Sequence, residues 1–211
     1  MHTAPPVPPG PPGSWPPDPS LAKADLRRLC RRRRREALPA AAAGILEAAS
    51  RELPSLLAAG GRLGLYWPLA GEADLRSLAE HQGWRDRLAL PAIEPCRRLV
   101  YRPWRSGMAL LPDDCGIPSP PGPEAGGGEA LPAEGLALLL VPALAVDATG
   151  LRLGSGGGFY DRLRADSAWR AVPALAVLPV ACVVSALPRD PWDVPFDGWL
   201  DEAGVHTPRT W

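Results

Sequence analysis

Lysine is almost missing from this chain: of 23 basic residues in 211, only Lys23 is lysine and the other 22 are arginine. An ammonium is a compact point charge and a guanidinium a planar fork, so a single lysine left in an arginine-rich chain reads either as a position that needs a point charge or as a chance survivor of coding biased toward arginine. Net charge is missing too. The 23 acidic residues balance the basic ones, leaving no overall field to draw in nucleic acid or an anionic membrane. No apolar run reaches the roughly 20 residues of a spanning helix; Leu136 to Val146 is too short, and Ala171 to Leu187 is broken by Pro173 and Pro179. With three histidines, no Ser/His/Asp or Cys/His arrangement presents itself for nucleophilic catalysis. The four cysteines, Cys30, Cys96, Cys115 and Cys182, are widely spaced and form no CxxC pair, which argues against a disulfide scaffold or a zinc site and for free thiols in a reducing cytoplasm.

Proline and glycine are abundant by contrast. Nine prolines fall in the first twenty residues, with no apolar segment behind a basic one, so residues 1–20 are expected to be a disordered leader and not a signal peptide. Residues 21–211 then read as one domain. Ser20 is placed to cap a helix from Leu21, in which Lys23 and Arg27, four apart, share a face and Leu26 and Leu29 form the apolar stripe. Five consecutive arginines, Arg31 to Arg35, read as a solvated helix end. Pro39 suits the start of a second helix, with Ile45, Leu46, Ala49 and Leu53 at helical spacing. Short β-like runs follow at Arg62 to Trp67, Leu88 to Ile93, Leu99 to Trp104, Leu138 to Val141 and Ala174 to Leu178, with helical patterns between some of them. Strands alternating with helices imply an α/β fold. Between Gly116 and Gly135, eleven of twenty residues are Gly or Pro, a long loop.

The chemistry concentrates in LLLVPALAVDATGLRLGSGGGFYDRLR, Leu138 to Arg164. An apolar strand ends at Pro142, a turn spans Asp147 to Gly150, then Arg152 precedes a glycine loop and a helix opening near Tyr160 and Asp161. Glycines let backbone N–H groups approach an anion, a helix start adds partial positive charge, and Arg152 adds a bidentate cation. GxxxxGK[ST] is absent, and GxGxxG fails because Phe159 stands where the last glycine belongs.

RLGSGGGFYDR, Arg152 to Arg162, after VPALAVDATG resembles the signature of the 5-formyltetrahydrofolate cyclo-ligase family. Lys-x-x-Leu-Arg (Lys23, Leu26, Arg27), the segment ending in Glu72 and LPRDPWDVPFD near the carboxyl end agree with it in order and approximate spacing. The resemblance implies a single three-layer α/β/α domain with a mostly parallel, Rossmann-like sheet, in which ATP and Mg²⁺ drive cyclisation of 5-formyltetrahydrofolate to 5,10-methenyltetrahydrofolate. It implies ATP contacts from Lys23, Arg27, Arg152, Leu153, Gly154, Ser155, Gly156, Gly157, Gly158, Phe159 and Tyr160, with Arg152 and Tyr160 catalytic. Asp161 and Asp193 would be the Mg²⁺ carboxylates. Trp67 and Glu72 would face the pterin, with Ser155 to Phe159 where nucleotide and formyl group meet, and Trp104 near the pteridine. The chain departs from the family pattern at Ser155 and Phe159 in the loop, at Trp192, where His is usual, and at Ser119, where Glu is frequent. The expected protein is a cytoplasmic monomer acting on a folate, polyglutamylated or not, without nucleic-acid or membrane partners. Two other readings remain: a sugar-phosphate isomerase or acyl-transfer protein using the glycine loop for phosphate alone, and a non-catalytic nucleotide- or RNA-binding protein dominated by Arg31 to Arg35.

Overall fold

The computed structural model describes residues 17–208 apart from Pro19, Ala58, Ala59, Gln82 and Arg85, so most of the proline-rich leader lies outside the described residues. Seven strands form the main sheet: β1 (Arg62–Gly64), β2 (Leu88–Glu94), β3 (Arg98–Trp104), β4 (Leu136–Pro142), β5 (Ala174–Val177), β6 (Gly198–Asp201) and β7 (Gly204–His206), in spatial order β7-β6-β5-β4-β1-β2-β3. The five strands from β6 to β2 run parallel, and the outer β3 and β7 are antiparallel.

Alternating side chains split the core into two layers, because successive strand residues point to opposite faces. Leu138 and Leu140 of β4, Leu175 and Val177 of β5 and Leu88 and Leu90 of β2 pack with Ala41, Ile45, Ala49 and Leu53. These come from helix α1 (Lys23–Leu56). Leu139, Val141, Ala174, Ala176 and Ala89 face the other way, toward α2 (Phe159–Ala165) and α3 (Ser167–Ala171), with Leu163, Tyr160 and Trp169. Helix, sheet, helix is the three-layer α/β/α domain expected, with both faces of the parallel strands covered.

The first helix departs from the sequence reading. Instead of two helices meeting at Pro39, one helix of 34 residues carries both Pro39 and Pro54 inside it, spanning about 50 Å at 1.5 Å per residue. It starts at Lys23 behind Ala22 with no side-chain cap; the Ser20 N–H instead bonds to the Asp18 carboxylate at 2.8 Å. Tertiary burial overrides the proline penalty, since the two ends of α1 dock on different cores. Ile45 to Leu53 pack under the main sheet, whereas Leu26 and Cys30 join Leu144, Leu151, Leu153 and Leu187 in a separate cluster. That cluster lies on a small sheet of Ala145–Asp147 paired with Arg152–Leu153 and Val183–Val184.

Other runs differ in extent. The first strand stops at Gly64 and not at Trp67, and β1 connects to β2 through a single 3-10 stretch, Arg76–Glu80. The Gly/Pro-rich segment from Gly116 is largely loop, punctuated by a short strand at Pro118–Ser119 and 3-10 turns at Pro123–Ala125 and Ala133–Gly135. No helix among the described residues is long and apolar enough to cross a membrane.

Candidate active site

The chain leaves β1 toward β2 on one side and leaves β4 toward β5 on the other, so the sheet reverses its order between β1 and β4. Open α/β sheets bind ligands beyond the carboxyl ends of their strands at such a point. A cavity of about 540 Å³ lies there, lined by Tyr66 and Trp67 after β1, Pro91 and Ile93 of β2 and Pro142 at the end of β4.

Its floor is built by the segment singled out in the sequence. The turn after β4 is locked by Asp147, which is buried and accepts from the Thr149 N–H and hydroxyl at 2.9 and 2.6 Å, the Leu151 N–H at 3.2 Å and the Leu187 N–H at 3.0 Å. Arg152 follows. One of its terminal nitrogens donates to the Pro142 carbonyl at 3.2 Å and the other lies 3.5 Å from Asp161. Its guanidinium also lies over Tyr160 and Phe196, 5.4 and 5.2 Å from the ring centroids, while its buried Nε has no hydrogen-bond partner. The loop then passes so close that a Cβ on Gly154 would stand 2.7 Å from that guanidinium, and Gly156 has φ +105°, which L side chains rarely adopt. Because α2 has only seven residues, the positive charge around the loop comes chiefly from side chains.

Docking of the amino-terminal end of α1 on the small sheet delivers two of those side chains. The Arg27 Nε donates to the Gly154 carbonyl at 3.1 Å. Lys23 Nζ reaches Asp190 and Asp193, 2.6 Å from each. Burial lowers the proton affinity of Lys23, but the two carboxylates outweigh it and the net shift is upward, so the ammonium is firmly charged. A third cation comes from an unforeseen place: Arg97, in the tight turn between β2 and β3, donates to the Gly157 carbonyl at 3.2 Å and covers Phe159 at 4.9 Å. Cys96 and Arg97 have φ 62° and 60°, a left-handed pair costing on the order of 1–3 kcal/mol each.

The same cavity carries a buried acid. Glu72 accepts from the Leu69 N–H at 3.0 Å and from Arg34 at 3.4 Å, with both side chains of the ion pair under 10% exposed. Burial raises the Glu72 carboxyl above its usual range, against the Leu69 N–H and Arg34, which pull it down. Arg34 also donates to the Ala143 carbonyl at 3.0 Å. The reading of Arg31 to Arg35 as a wholly solvated run is therefore corrected: its fourth member turns inward on the helix face that meets the site, and periodicity alone puts one of five consecutive residues there. Burial likewise pushes the Tyr160 hydroxyl up to about 12, so it holds its proton at neutral pH.

Of the residues assigned from sequence, Lys23, Arg27, Trp67, Glu72, Arg152 to Asp161 and Asp193 line this one cavity. Trp104 does not. It is buried in the α1-side core and borders a separate depression with Arg76 and Met108, because it sits at the far end of β3 from the site. Ser119 is also buried elsewhere, donating to the Leu111 carbonyl at 3.3 Å. The sequence reading missed Tyr66, Asp113 and Asp190 as lining residues. For Asp190 the signal was present, since Asp-Pro-Trp-Asp is a turn with a carboxylate at each end. For Arg97 there was none, because a non-glycine left-handed turn has no sequence signature.

A profile of the 5-formyltetrahydrofolate cyclo-ligase family matches residues 19–201. The 5-formyltetrahydrofolate cyclo-ligase of Mycolicibacterium smegmatis is 32% identical over 188 residues, covering 82% of this chain and 90% of that protein. That of Escherichia coli is 31% identical over 130 residues, 60% of this chain and 69% of the relative. Among solved structures, the 5,10-methenyltetrahydrofolate synthetase of Aquifex aeolicus superposes with a TM-score of 0.70 at 26% identity, over 90% of this chain and 95% of that one. A Mycoplasma pneumoniae protein shares the fold, with a TM-score of 0.62 at 17% identity over 86% of this chain and 99% of its own.

Proposed function

The chain belongs to the 5-formyltetrahydrofolate cyclo-ligase family, and from that premise we propose that it uses ATP to close 5-formyltetrahydrofolate into 5,10-methenyltetrahydrofolate, releasing ADP and phosphate. The observation that carries the site assignment is convergence: residues as distant in sequence as Lys23, Glu72, Arg152 and Asp193 line one cavity at the point where the sheet reverses its order.

The formyl oxygen is a poor leaving group. Transfer of the γ-phosphoryl to it, with ADP departing, makes a good one; the N10 lone pair then attacks the formyl carbon, the N10–C bond forms, N10 gives up its proton to water, and the C–O bond breaks with phosphate departing. Such chemistry needs positioning and charge neutralisation more than a protein nucleophile. Lys23 and Arg27 would hold the phosphates. Arg152, fixed by the Pro142 carbonyl and by the faces of Tyr160 and Phe196, would meet the charge that develops on the transferring group. Tyr160, protonated at neutral pH, would act as a donor and not as a base. Glu72, as a carboxylate, can accept two aligned N–H donors, the 2-amino group and N3–H of a pterin, with Trp67 beside it in the cavity wall.

The donor set suits magnesium. Asp161 and Asp193 offer hard oxygens on the cavity wall, and no cluster of three or more candidate ligands occurs among the described residues. Asp193 is paired with Lys23 and Asp161 lies near Arg152, so an ion held by these carboxylates would need phosphate oxygens and water for the rest of its shell. Bound there, it would neutralise phosphate charge. The reading of a protein that takes phosphate alone leaves the Glu72 and Trp67 half of the cavity without a role, and the RNA-binding reading loses its continuous basic surface once Arg34 is buried.

The test is the absorbance of methenyltetrahydrofolate when the protein meets 5-formyltetrahydrofolate with and without Mg-ATP. An ATP-dependent rise is expected. Replacement of Arg152 by Ala should lower turnover by at least about 100-fold, the scale of losing one preorganised charge donor, with the circular dichroism spectrum unchanged. Near-normal turnover in that variant would remove Arg152 from the site.

A further inference from the structure

Trp192 is the most exposed large apolar side chain among the described residues, at 68%, and it lines the cavity. An indole in water needs a reason, and packing does not supply one here. The chain around it does. Asp190, Pro191, Trp192 and Asp193 form a β-turn in which the Asp193 N–H bonds to the Asp190 carbonyl at 3.0 Å. The Asp190 N–H bonds back to the Asp193 carboxylate at 2.7 Å. Pro191 fixes one central φ. Both turn carboxylates clamp Lys23 Nζ, so the turn is tied to α1 at each end while its apex side chain stands free at the cavity mouth. The turn presents a rigid aromatic face at little cost in side-chain entropy, as an anchoring residue does.

We propose that Trp192 is a stacking platform for the base of the nucleotide, a role that rests on the ATP-dependent reading above. Two observations choose the base over the folate ring. Trp192 is joined through its own turn to Lys23 and Asp193, the charged end at which phosphates would be held. The buried acid that would pair with a pterin, Glu72, lies within the protein at 5% exposure, beside Trp67 and not beside Trp192 on the chain. Stacking on an indole uses the π-face that every base has, so the platform contributes affinity and little selection among bases.

The experiment compares the intact protein with its Trp192→Ala and Trp192→Phe variants. Alanine should raise the KM for ATP by about tenfold, the scale of one lost base stack, without a matching rise in the KM for 5-formyltetrahydrofolate; phenylalanine, which keeps a ring, should recover most of the loss. Separately, ADP added without folate should quench tryptophan fluorescence in the intact protein and lose that quench in Trp192→Phe. An unchanged KM for ATP in the alanine variant overturns the proposal, as does a rise confined to the KM for folate, which would give the indole to the substrate ring. Because the quench is read without turnover, a protein that binds ADP through Trp192 yet makes no product would refute the ligase reading and leave the platform standing.

Discussion

A buried carboxylate sets the energetics of the site wall. Glu72 and Arg34 are both almost wholly enclosed, and removing one partner of such a pair leaves a charge without compensation, which costs about 3 kcal/mol or more. The sign with pH follows from Glu72. Its proton affinity in the folded chain is raised by burial, so the folded state holds the proton more tightly than the unfolded one, and ionisation removes stability as pH climbs from the ordinary glutamate value through the folded one. Arg34→Met should push the carboxyl further up. The variant is therefore expected to melt well below the parent near pH 7, with the gap narrowing at a pH in the ordinary glutamate range, where Glu72 takes up its proton. Thermal unfolding followed by circular dichroism at both pH values checks this, and a gap independent of pH would mean that Glu72 is not the group left uncompensated.

At the scale of elements, α1 is the unusual one. Its amino-terminal turns supply Lys23 and Arg27 to the site, and its remaining length covers one face of the sheet. A proline in a helix interior removes one hydrogen bond and crowds the carbonyl four residues earlier, at a cost near 3 kcal/mol. Pro39 is exposed, so exchange for alanine disturbs no packing. Pro39→Ala should raise stability by about 1–2 kcal/mol, the helix gain being partly offset by a freer unfolded chain. Denaturant titration measures it, and a neutral or negative change would indicate that the helix is broken there. The sequence had pointed to a break because proline is a strong local signal. It gave way because the apolar residues on either side of Pro39 are held by two different cores.

Across the whole molecule the charge sums to zero, and the cavity gathers both signs: Lys23, Arg27 and Arg152 line it together with Glu72, Asp113, Asp161, Asp190 and Asp193. Folding concentrates in one cavity charges that lie far apart along the chain. Leu21, just ahead of α1, already packs on the cluster that holds Leu26, whereas residues 1–16, seven of them proline, offer no apolar periodicity to bury. Deletion of residues 1–16 is expected to leave both the thermal midpoint and ATP-dependent turnover unchanged. Deletion through Arg27 should abolish turnover, since it removes Lys23, Arg27 and the buried Leu26 that docks them. Loss of activity in the shorter deletion would extend the functional domain into the leader.

What sequence alone determined is what local physics encodes. Strands alternating with helices marked the α/β sheet, glycines and Arg152 marked a loop that an anion could approach, and the lone lysine stood out as the chain's one point-charge cation, which sits 2.6 Å from each of two carboxylates. Tertiary structure decided whatever depends on partners distant along the chain: that α1 runs through Pro39, that Arg34 leaves its solvated neighbours to meet Glu72, and that Trp192 and not Trp104 stands in the cavity wall. Lys23 finds its carboxylates 167 and 170 residues away. A local pattern can say which face a side chain takes, but only the closing of the fold, and the water it expels, determines what that face meets.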